Sequence, residues 1–120
     1  MRWYTKMTPN KVNDFAEIAE YIFSLDYIKK ILKIYNCEVL ILKDYCFNKK
    51  GRLVHGRYNY IKHIISIYVV SNLNHSLCYF IDTIAHEIAH IAVLAHDKKH
   101  RDLKNKIKKL IKLELFEMGA

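Results

Sequence analysis

The chain is poor in the residues that shape loops and in those that cross-link secreted domains. It has three glycines, one proline and three cysteines among 120 residues. An odd number of cysteines with no CxxC pair argues against a disulfide framework and a zinc ribbon, and predicts reduced thiols in a cytoplasmic protein. No apolar run resembles a signal peptide or a charge-free membrane span. The length of 120 residues and the hydrophobic content of 52% predict one globular domain over residues 1–120.

Acidic residues are also scarce relative to basic ones. Lys and Arg number 20 against 12 Asp and Glu, a formal net charge of +8, and the excess is densest between residues 98 and 112. Such clustering suits a polyanion such as DNA, but a solvated helix face in a lysine-rich chain explains it equally well. The candidate nucleic-acid contacts are Lys98, Lys99, Arg101, Lys104, Lys108 and Lys112.

The most informative stretch is an HExxH motif, His86-Glu87-Ile88-Ala89-His90. Residues four apart on a helix share one face, so His86 and His90 can present two imidazoles to one tetrahedral Zn²⁺. Glu87 can then reach a water at the metal and act as general base. Residues 77–95 are mostly apolar and lack Gly and Pro, which predicts a buried helix. The alternative is a set of hydrogen-bonded core histidines, although burying these groups unpaired is costly.

A third ligand must come from beyond this helix. If the helix continued, His96 would point away from His90, so a break near Val93 is required before His96 can turn back. Asp97 favours a break, because it can cap the start of a following helix. His96 is therefore the favoured third ligand of a single Zn²⁺. The alternatives are His100, Glu114 and Glu117.

The remaining patterns predict an α+β fold. Thr8 and Pro9 are typical of a helix start. The expected elements are helical residues 12–35 with a break near 24–26, strands over 37–45, 53–58 and 64–70, the helix over 77–95, and a basic helix after residue 97. The expected architecture is thus N-terminal helices, a small three-stranded sheet, the HExxH helix and a C-terminal basic helix.

This order of elements resembles the SprT-like zinc metallopeptidases, which include the Spartan proteases of DNA–protein crosslinks. The resemblance covers roughly residues 37–110 and rests on Gly56-Arg57-Tyr58, residues 64–67, residues 83–90 and residues 96–99. It implies a minimal zincin fold, with zinc held by His86, His90 and His96 and with Glu87 as the base. The chain departs from the family pattern at His100, where a bulky aromatic residue is usual.

Two other families share part of this pattern. Residues 80–87 are also similar to the ImmA/IrrE-type peptidases, which cleave repressors; that resemblance implies the same reaction with a different substrate and third ligand. Metzincins share the spacing of the three histidines. They place Gly where Val93 stands, however, and need a downstream methionine turn for which only Met118 is present.

The resulting expectation is a zinc-dependent endopeptidase acting on a protein or peptide, with DNA as a further partner of the basic helix and with no membrane. Catalysis would also need an oxyanion donor, for which His100, Arg57 and Tyr58 are candidates. Asp82, one turn before His86, is a candidate for orienting an imidazole. The rival class is a basic nucleic-acid-binding module whose zinc site is structural and closed by four ligands.

Overall fold

The structure describes residues 11–117, and in the computed structural model these residues form an α+β domain. The elements in chain order are α1 (Lys11–Ser24), α2 (Asp26–Ile34), β1 (Glu38–Leu42), β2 (Gly56–Asn59), β3 (Ile64–Tyr68), a 3₁₀ turn (Val70–Asn72), α3 (Leu77–Ala92) and α4 (Lys98–Glu117). The predicted class and element order are confirmed over this range. The predicted helix start at Thr8 and Pro9, and Met118, lie outside it. None of the helices described is both long and apolar enough to span a bilayer.

The three strands form a mixed sheet in the order β1-β3-β2. β3 lies in the centre, parallel to β1 and antiparallel to β2, and its Ile65 and Ile67 are fully buried. β1 is an edge strand whose side chains alternate between exposed and half-buried, with Leu40 45% exposed. The prediction of a buried strand over residues 37–45 was therefore wrong in burial and in length. Its apolar composition could not tell an edge strand from a central one.

A polar turn precedes β2 in the chain. Asn48 Oδ1 accepts hydrogen bonds from the backbone of Lys50 and Arg52, and Gly51 has a φ of 76°, which confirms the turn predicted at residues 48–51. Leu53 makes only an isolated bridge to Phe47, so β2 begins at Gly56 and not at residue 53. β2 is therefore short, and its first residue faces α3.

Helix α3 lies at the centre of the core, because it packs against α4, β2 and β3. Phe80 near its start stacks on Phe15 of α1, with ring centroids 4.6 Å apart. Apolar positions of α3 are fully buried along its length, including Ile81, Ile84 and Ile88. Burial of such side chains stabilises a fold by about 1.5–3 kcal/mol each. The HExxH residues are consequently carried by one of the most firmly held elements.

An ion-pair network joins α3 to α4. Asp82 Oδ1 lies 3.2 Å from Lys104 Nζ and 3.0 Å from Lys108 Nζ. Partial burial raises the pKa of Asp82, but the two ammonium groups lower it by more, so the pKa falls below its ordinary value. The stabilisation is therefore present above about pH 4, the unfolded value, and is lost as the pH falls through the lower folded value.

We expect Asp82→Asn to destabilise the metal-free protein at pH 7 by up to about 1 kcal/mol, since these groups are partly exposed and screened by solvent. The loss should shrink at pH 3, where wild-type Asp82 is increasingly protonated. Urea denaturation at both pH values measures it. Asp102→Asn, an exposed carboxylate on α4, is the control. A loss of the same size at pH 3 and pH 7 would contradict the ion-pair account.

Candidate metal centre

Helix α3 presents His86 and His90 from one face and then ends. Ser76 caps its start, its side chain accepting a hydrogen bond from the Tyr79 backbone N–H at 3.1 Å. The last helical residue is Ala92, and Val93 is extended, with φ −135° and ψ 99°. The predicted break near Val93 is therefore confirmed, although no Gly or Pro causes it. Because the helix stops there, the following residues are free to turn back towards His90.

Asp97 begins the next helix. Its Oδ1 accepts a hydrogen bond from the backbone N–H of His100 at 3.0 Å, and its carbonyl accepts one from Arg101 at 3.0 Å. This confirms the capping role predicted for Asp97. The connection over residues 93–97 is short, so it holds His96 close to the end of α3. His100 lies one turn into α4 and is 4% exposed.

Four histidines come together where α3 and α4 meet. The Nε2 atom of His90 lies 3.0 Å from Nε2 of His86 and 3.0 Å from Nε2 of His96. Nitrogens bound to one tetrahedral zinc at about 2.0–2.1 Å would lie about 3.3 Å apart, close to these distances. Ligand-type atoms of His86, His90 and His100 also lie within 4.8 Å of one another, near enough to hold a metal ion.

The hydrogen bonds of His90 fix its tautomer. Its Nδ1 lies 3.1 Å from the carbonyl oxygen of Val93, which can only accept, so Nδ1 carries the proton. In the neutral ring, Nε2 then carries no proton, and its one lone pair faces the nitrogens of two other imidazoles. One lone pair cannot satisfy two N–H donors well, whereas a cation placed between the three nitrogens would satisfy all of them. These three side chains therefore fit a metal ion better than a hydrogen-bonded cluster.

His100 makes different contacts from the other three histidines. Its Nε2 donates to the backbone carbonyl of His86 at 3.0 Å, which leaves only Nδ1 for any metal. Its ring stacks on His90, with centroids 4.0 Å apart and planes 26° from parallel. His90 and His96, by contrast, are nearly perpendicular, at 84°. His100 therefore packs against the face of a ligand-type imidazole and holds α4 to the end of α3.

Burial and mutual repulsion keep the α3 histidines neutral. Burial, followed by the charges of His90, His100, His96 and Lys104, lowers the pKa of His86 to about 4. Burial also lowers the pKa of His90, partly offset by its hydrogen bond to Val93 and reinforced by His100 and His96. Neutral imidazole is the form that binds metal, so both rings are ready for a metal at neutral pH.

Glu87 lies beside these histidines in a crowded position. It is 8% exposed, and burial raises its pKa to about 7, although a hydrogen bond from the Tyr58 backbone N–H lowers it. Gly56 of β2 passes close by, since a Cβ placed there would lie 3.0 Å from Glu87 Cγ and 3.3 Å from Thr83 Cγ2. β2 thus positions the Glu87 side chain in two ways. The backbone N–H of Tyr58 donates a hydrogen bond to it, and the lack of a Cβ at Gly56 leaves room for it.

Three open depressions meet at the histidines. The glutamate cavity, of about 300 Å³, is lined by Val54, His55, Gly56, Tyr79, Asp82, Thr83, His86 and Glu87. The cationic cavity, of about 370 Å³, is lined by His86, His96, Asp97, Lys98, His100, Arg101 and Lys104. The aromatic cavity, of about 270 Å³, is lined by Tyr58, Tyr60, His90, Leu94 and His96. The cluster is therefore open to ligands on more than one side.

The remaining candidates have other partners. Asp82 pairs with Lys104 and Lys108, so these contacts do not support its expected role of orienting an imidazole. Arg57 is exposed, and strand alternation places it on the opposite face of β2 from Gly56. Tyr58 lies at the aromatic cavity, and its hydroxyl bonds His63 Nδ1 at 3.3 Å. His100 faces the His86 carbonyl. Of the three oxyanion candidates, Tyr58 lines the aromatic cavity together with His90 and His96, and its side chain is half-buried.

The alternative ligand Glu114 lies elsewhere. It lines a separate cavity of about 480 Å³ between α1, α2 and α4, with Tyr21, Leu25 and Ile111 among its neighbours. The side chain of Glu117 lies outside the described residues. Within the part of the chain that the structure describes, the third-ligand question is thus reduced to His96 and His100.

Sequence reasoning missed a second histidine pair. Nε2 of His55 lies 3.2 Å from Nε2 of His75, and the His75 ring stacks on Tyr79 with centroids 3.9 Å apart. Burial and the charge of His75 lower the pKa of His55. His55 lines the glutamate cavity together with Glu87. No spacing signal could have found it, because a β-loop and a helix N-terminus bring the two residues together.

The basic helix divides into two faces. Lys104 and Lys108 point towards α3 and pair with Asp82, and Lys112 is also half-buried. An outer face carries Lys99, Lys106 and Lys109, all exposed, while Lys98 and Arg101 are exposed beside the cationic cavity. Lys104 and Lys108, two of the six residues predicted to contact nucleic acid, therefore lie on the α3-facing side and not on the outer face.

Comparisons with known proteins add no family to this description. No protein-family model, no curated protein and no solved structure matches the chain. What can be concluded about function consequently rests on the geometry of the histidine cluster and Glu87.

Proposed function

We propose that the chain is a zinc-dependent endopeptidase in which His86, His90 and His96 hold the metal and Glu87 is the general base. The observation that carries this proposal is the convergence of three imidazole Nε2 atoms next to a buried glutamate, at a site open to several cavities. Three protein ligands with an open position suit catalysis, whereas a structural zinc site is closed by four. The SprT-like motifs in the sequence support the same reaction.

His96 is the better third ligand on chemical grounds. The Nε2 atom of His100 already donates to the His86 carbonyl, and its ring lies face to face with His90. A histidine that shares a metal with His90 should point its nitrogen at the same centre, as His96 does at 3.0 Å. His100 would instead support the site, holding the backbone of His86 in place.

The chain's own residues supply most of the remaining chemistry. Zinc bound here would polarise a peptide carbonyl and acidify a water molecule. Glu87, with a pKa raised to about 7 by burial, is suited to take a proton at neutral pH and to return it to the leaving amine. A divalent cation nearby would lower that pKa by charge attraction and so favour the basic form. The Tyr58 N–H would keep the carboxylate oriented.

A peptidase assay tests this function directly. Zinc-loaded protein should cleave an unstructured protein or a random peptide mixture, and cleavage should stop when a chelator removes the metal and return on adding zinc. Mass spectrometry of the products locates the cleaved bonds. Zinc-loaded protein that binds one equivalent of metal but cleaves no peptide would favour the rival class, a structural zinc module.

Gly56 offers a test of how β2 positions the base. Gly56→Ala would place a Cβ about 3.0 Å from Glu87 Cγ, so the carboxylate must shift. We expect a destabilisation of about 1–3 kcal/mol and a loss of activity of about 100-fold, as misplacement by about 1 Å can cause. Zinc content should be unchanged. Activity equal to wild type in folded Gly56→Ala protein would contradict the positioning role.

DNA binding is a second proposal, favoured by the three exposed lysines on the outer face of α4. Lys99, Lys106 and Lys109 replaced together by Glu should weaken DNA binding and reduce the slope of its salt dependence by about 0.9 for each phosphate that the variant no longer neutralises. A matched control exchanges Lys29, Lys30 and Lys33, exposed lysines of α2. Anisotropy with labelled DNA at low salt measures binding. If the wild-type protein binds no DNA at micromolar concentration, these lysines only form a solvated helix face and the proposal is wrong.

A further inference from the structure

We propose that the cationic cavity between the metal-binding histidines and α4 binds an acidic side chain of the polypeptide substrate, at a residue next to the cleaved bond. This inference rests on the proposed peptidase function and adds a substrate class to it. The cavity holds about 370 Å³ and is lined both by His86 and His96 and by the cationic side chains of Lys98, Arg101 and Lys104. An occupant would therefore lie directly beside the metal.

The charges around the cavity favour an anion. Three cationic side chains line it against one carboxylate, Asp97, and that carboxylate is engaged in capping α4. Lys104 is shared with Asp82, so Lys98 and Arg101 account for most of the positive charge at the cavity. The first turn of a helix adds a partial positive charge. A bound divalent cation would make the region more positive still.

Arg101 is the residue best suited to bind the carboxylate. It is exposed, sits one helical turn after Asp97 and has a planar guanidinium that can bind a carboxylate through two parallel hydrogen bonds. Lys98 lies one turn earlier on the same side of α4, because residues three apart are neighbours on a helix surface. Together they form an entrance through which an Asp or Glu side chain can reach the cavity.

The neighbouring cavity at the histidines has a different character. Tyr58, Tyr60 and Leu94 line the aromatic cavity, which shares His96 with the cationic one. A polypeptide crossing the metal would thus meet an apolar depression on one side and a cationic one on the other. The contrast predicts selectivity for an acidic residue on only one side of the cleaved bond.

A substrate carboxylate fits this cavity better than a nucleic-acid backbone does. The cavity is concave and can take one side chain, whereas phosphates along a strand need a row of exposed cations. Lys104 and Lys108, which would extend such a row, are paired with Asp82. The proposed DNA contacts belong to the outer face of α4, whose Lys99, Lys106 and Lys109 do not line the cavity.

The test compares matched peptides cleaved by the zinc-loaded enzyme. Each has a single Glu, Gln or Lys scanned through positions on both sides of the cleaved bond. We expect Glu at one adjacent position to raise kcat/KM over Gln by about 10- to 100-fold, the range for hydrogen bonds to a charged group. Arg101→Glu should remove this preference or transfer it to Lys. Lys30→Glu, the same charge change on α2, should leave it intact, and Arg101→Gln serves if Arg101→Glu does not fold.

Binding separates failure of this inference from failure of the peptidase. A fluorescent Glu peptide and its Gln counterpart are titrated into zinc-loaded Glu87→Gln protein, which requires no turnover. The Glu peptide should bind more tightly than the Gln peptide, and the difference should disappear in the double variant Glu87→Gln, Arg101→Glu. This result supports the inference even if the wild-type protein cleaves no peptide. Equal binding and equal cleavage of the two peptides would overturn it. Displacement of both peptides by short DNA, without any acidic preference, would also overturn it in favour of nucleic acid.

Discussion

His86→Ala is expected to abolish stoichiometric zinc binding. The wild-type protein, purified without chelator, should carry about one zinc per chain, since the three convergent imidazoles form a single site. Removing His86 leaves His90 with one nitrogen neighbour at 3.0 Å in place of two. The zinc affinity should fall by more than about 100-fold, because even loss of groups that only orient a ligand costs 10- to 100-fold. Elemental analysis and zinc titration measure both quantities.

The same measurements decide between the two remaining candidates for third ligand. His96→Ala should lower zinc affinity nearly as much as His86→Ala. His100→Ala should retain one zinc per chain but lower stability, because it empties a buried site and removes the side-chain hydrogen bond to the His86 carbonyl. His100→Phe, which restores the volume, should also retain zinc. Loss of zinc in both His100 variants, with retention in His96→Ala, would transfer the ligand role to His100.

Glu87→Gln is expected to separate metal binding from chemistry. The amide has nearly the volume of the carboxylate and can still face the Tyr58 N–H through its oxygen. It cannot take a proton, however, so peptide cleavage should fall by about 10²- to 10⁴-fold, the range for loss of a general acid–base group. Zinc content should remain at one per chain. Both kcat and kcat/KM should fall together, because the missing interaction belongs to the transition state.

Two results would remove Glu87 from this role. Cleavage by Glu87→Gln at the wild-type rate would show that another group takes the proton. Loss of zinc in Glu87→Gln would instead place Glu87 among the ligands. Thr83→Ser, which shortens a neighbour of Gly56 on the same cavity without touching the carboxylate, is the control for general disturbance of the cavity.

Local sequence was sufficient for the elements that carry the site. The apolar run of α3 and the HExxH spacing place His86, Glu87 and His90 on one helix, because the helical repeat fixes which residues share a face. Asp97 predicted the new helix, and the observed cap confirms it. The break at Val93 was predicted from the hypothesis that His96 is the third ligand, since no residue there is a strong helix breaker.

Other features depended on which segments pack together. β1 and β3 have similar apolar compositions, yet only β3 is central, because strand order is decided by pairing across the sheet. Asp82, a candidate for orienting an imidazole, pairs with two lysines of α4, which lie 22 and 26 positions further along the chain. The contacts of long polar side chains depend on the approach of a second element, which composition and spacing do not encode.

By itself, the sequence determined the α+β class, the helical placement of the HExxH residues, the cap at Asp97 and the excess of positive charge. Only the tertiary structure decided that His100 stacks on His90, that His55 meets His75, and that Gly56 passes beside Glu87. It also divided the lysines of α4 between an ion pair, a cavity wall and an outer face. The physical reason is that helical periodicity and capping act over a few residues, whereas these contacts arise from close packing between elements distant in the chain.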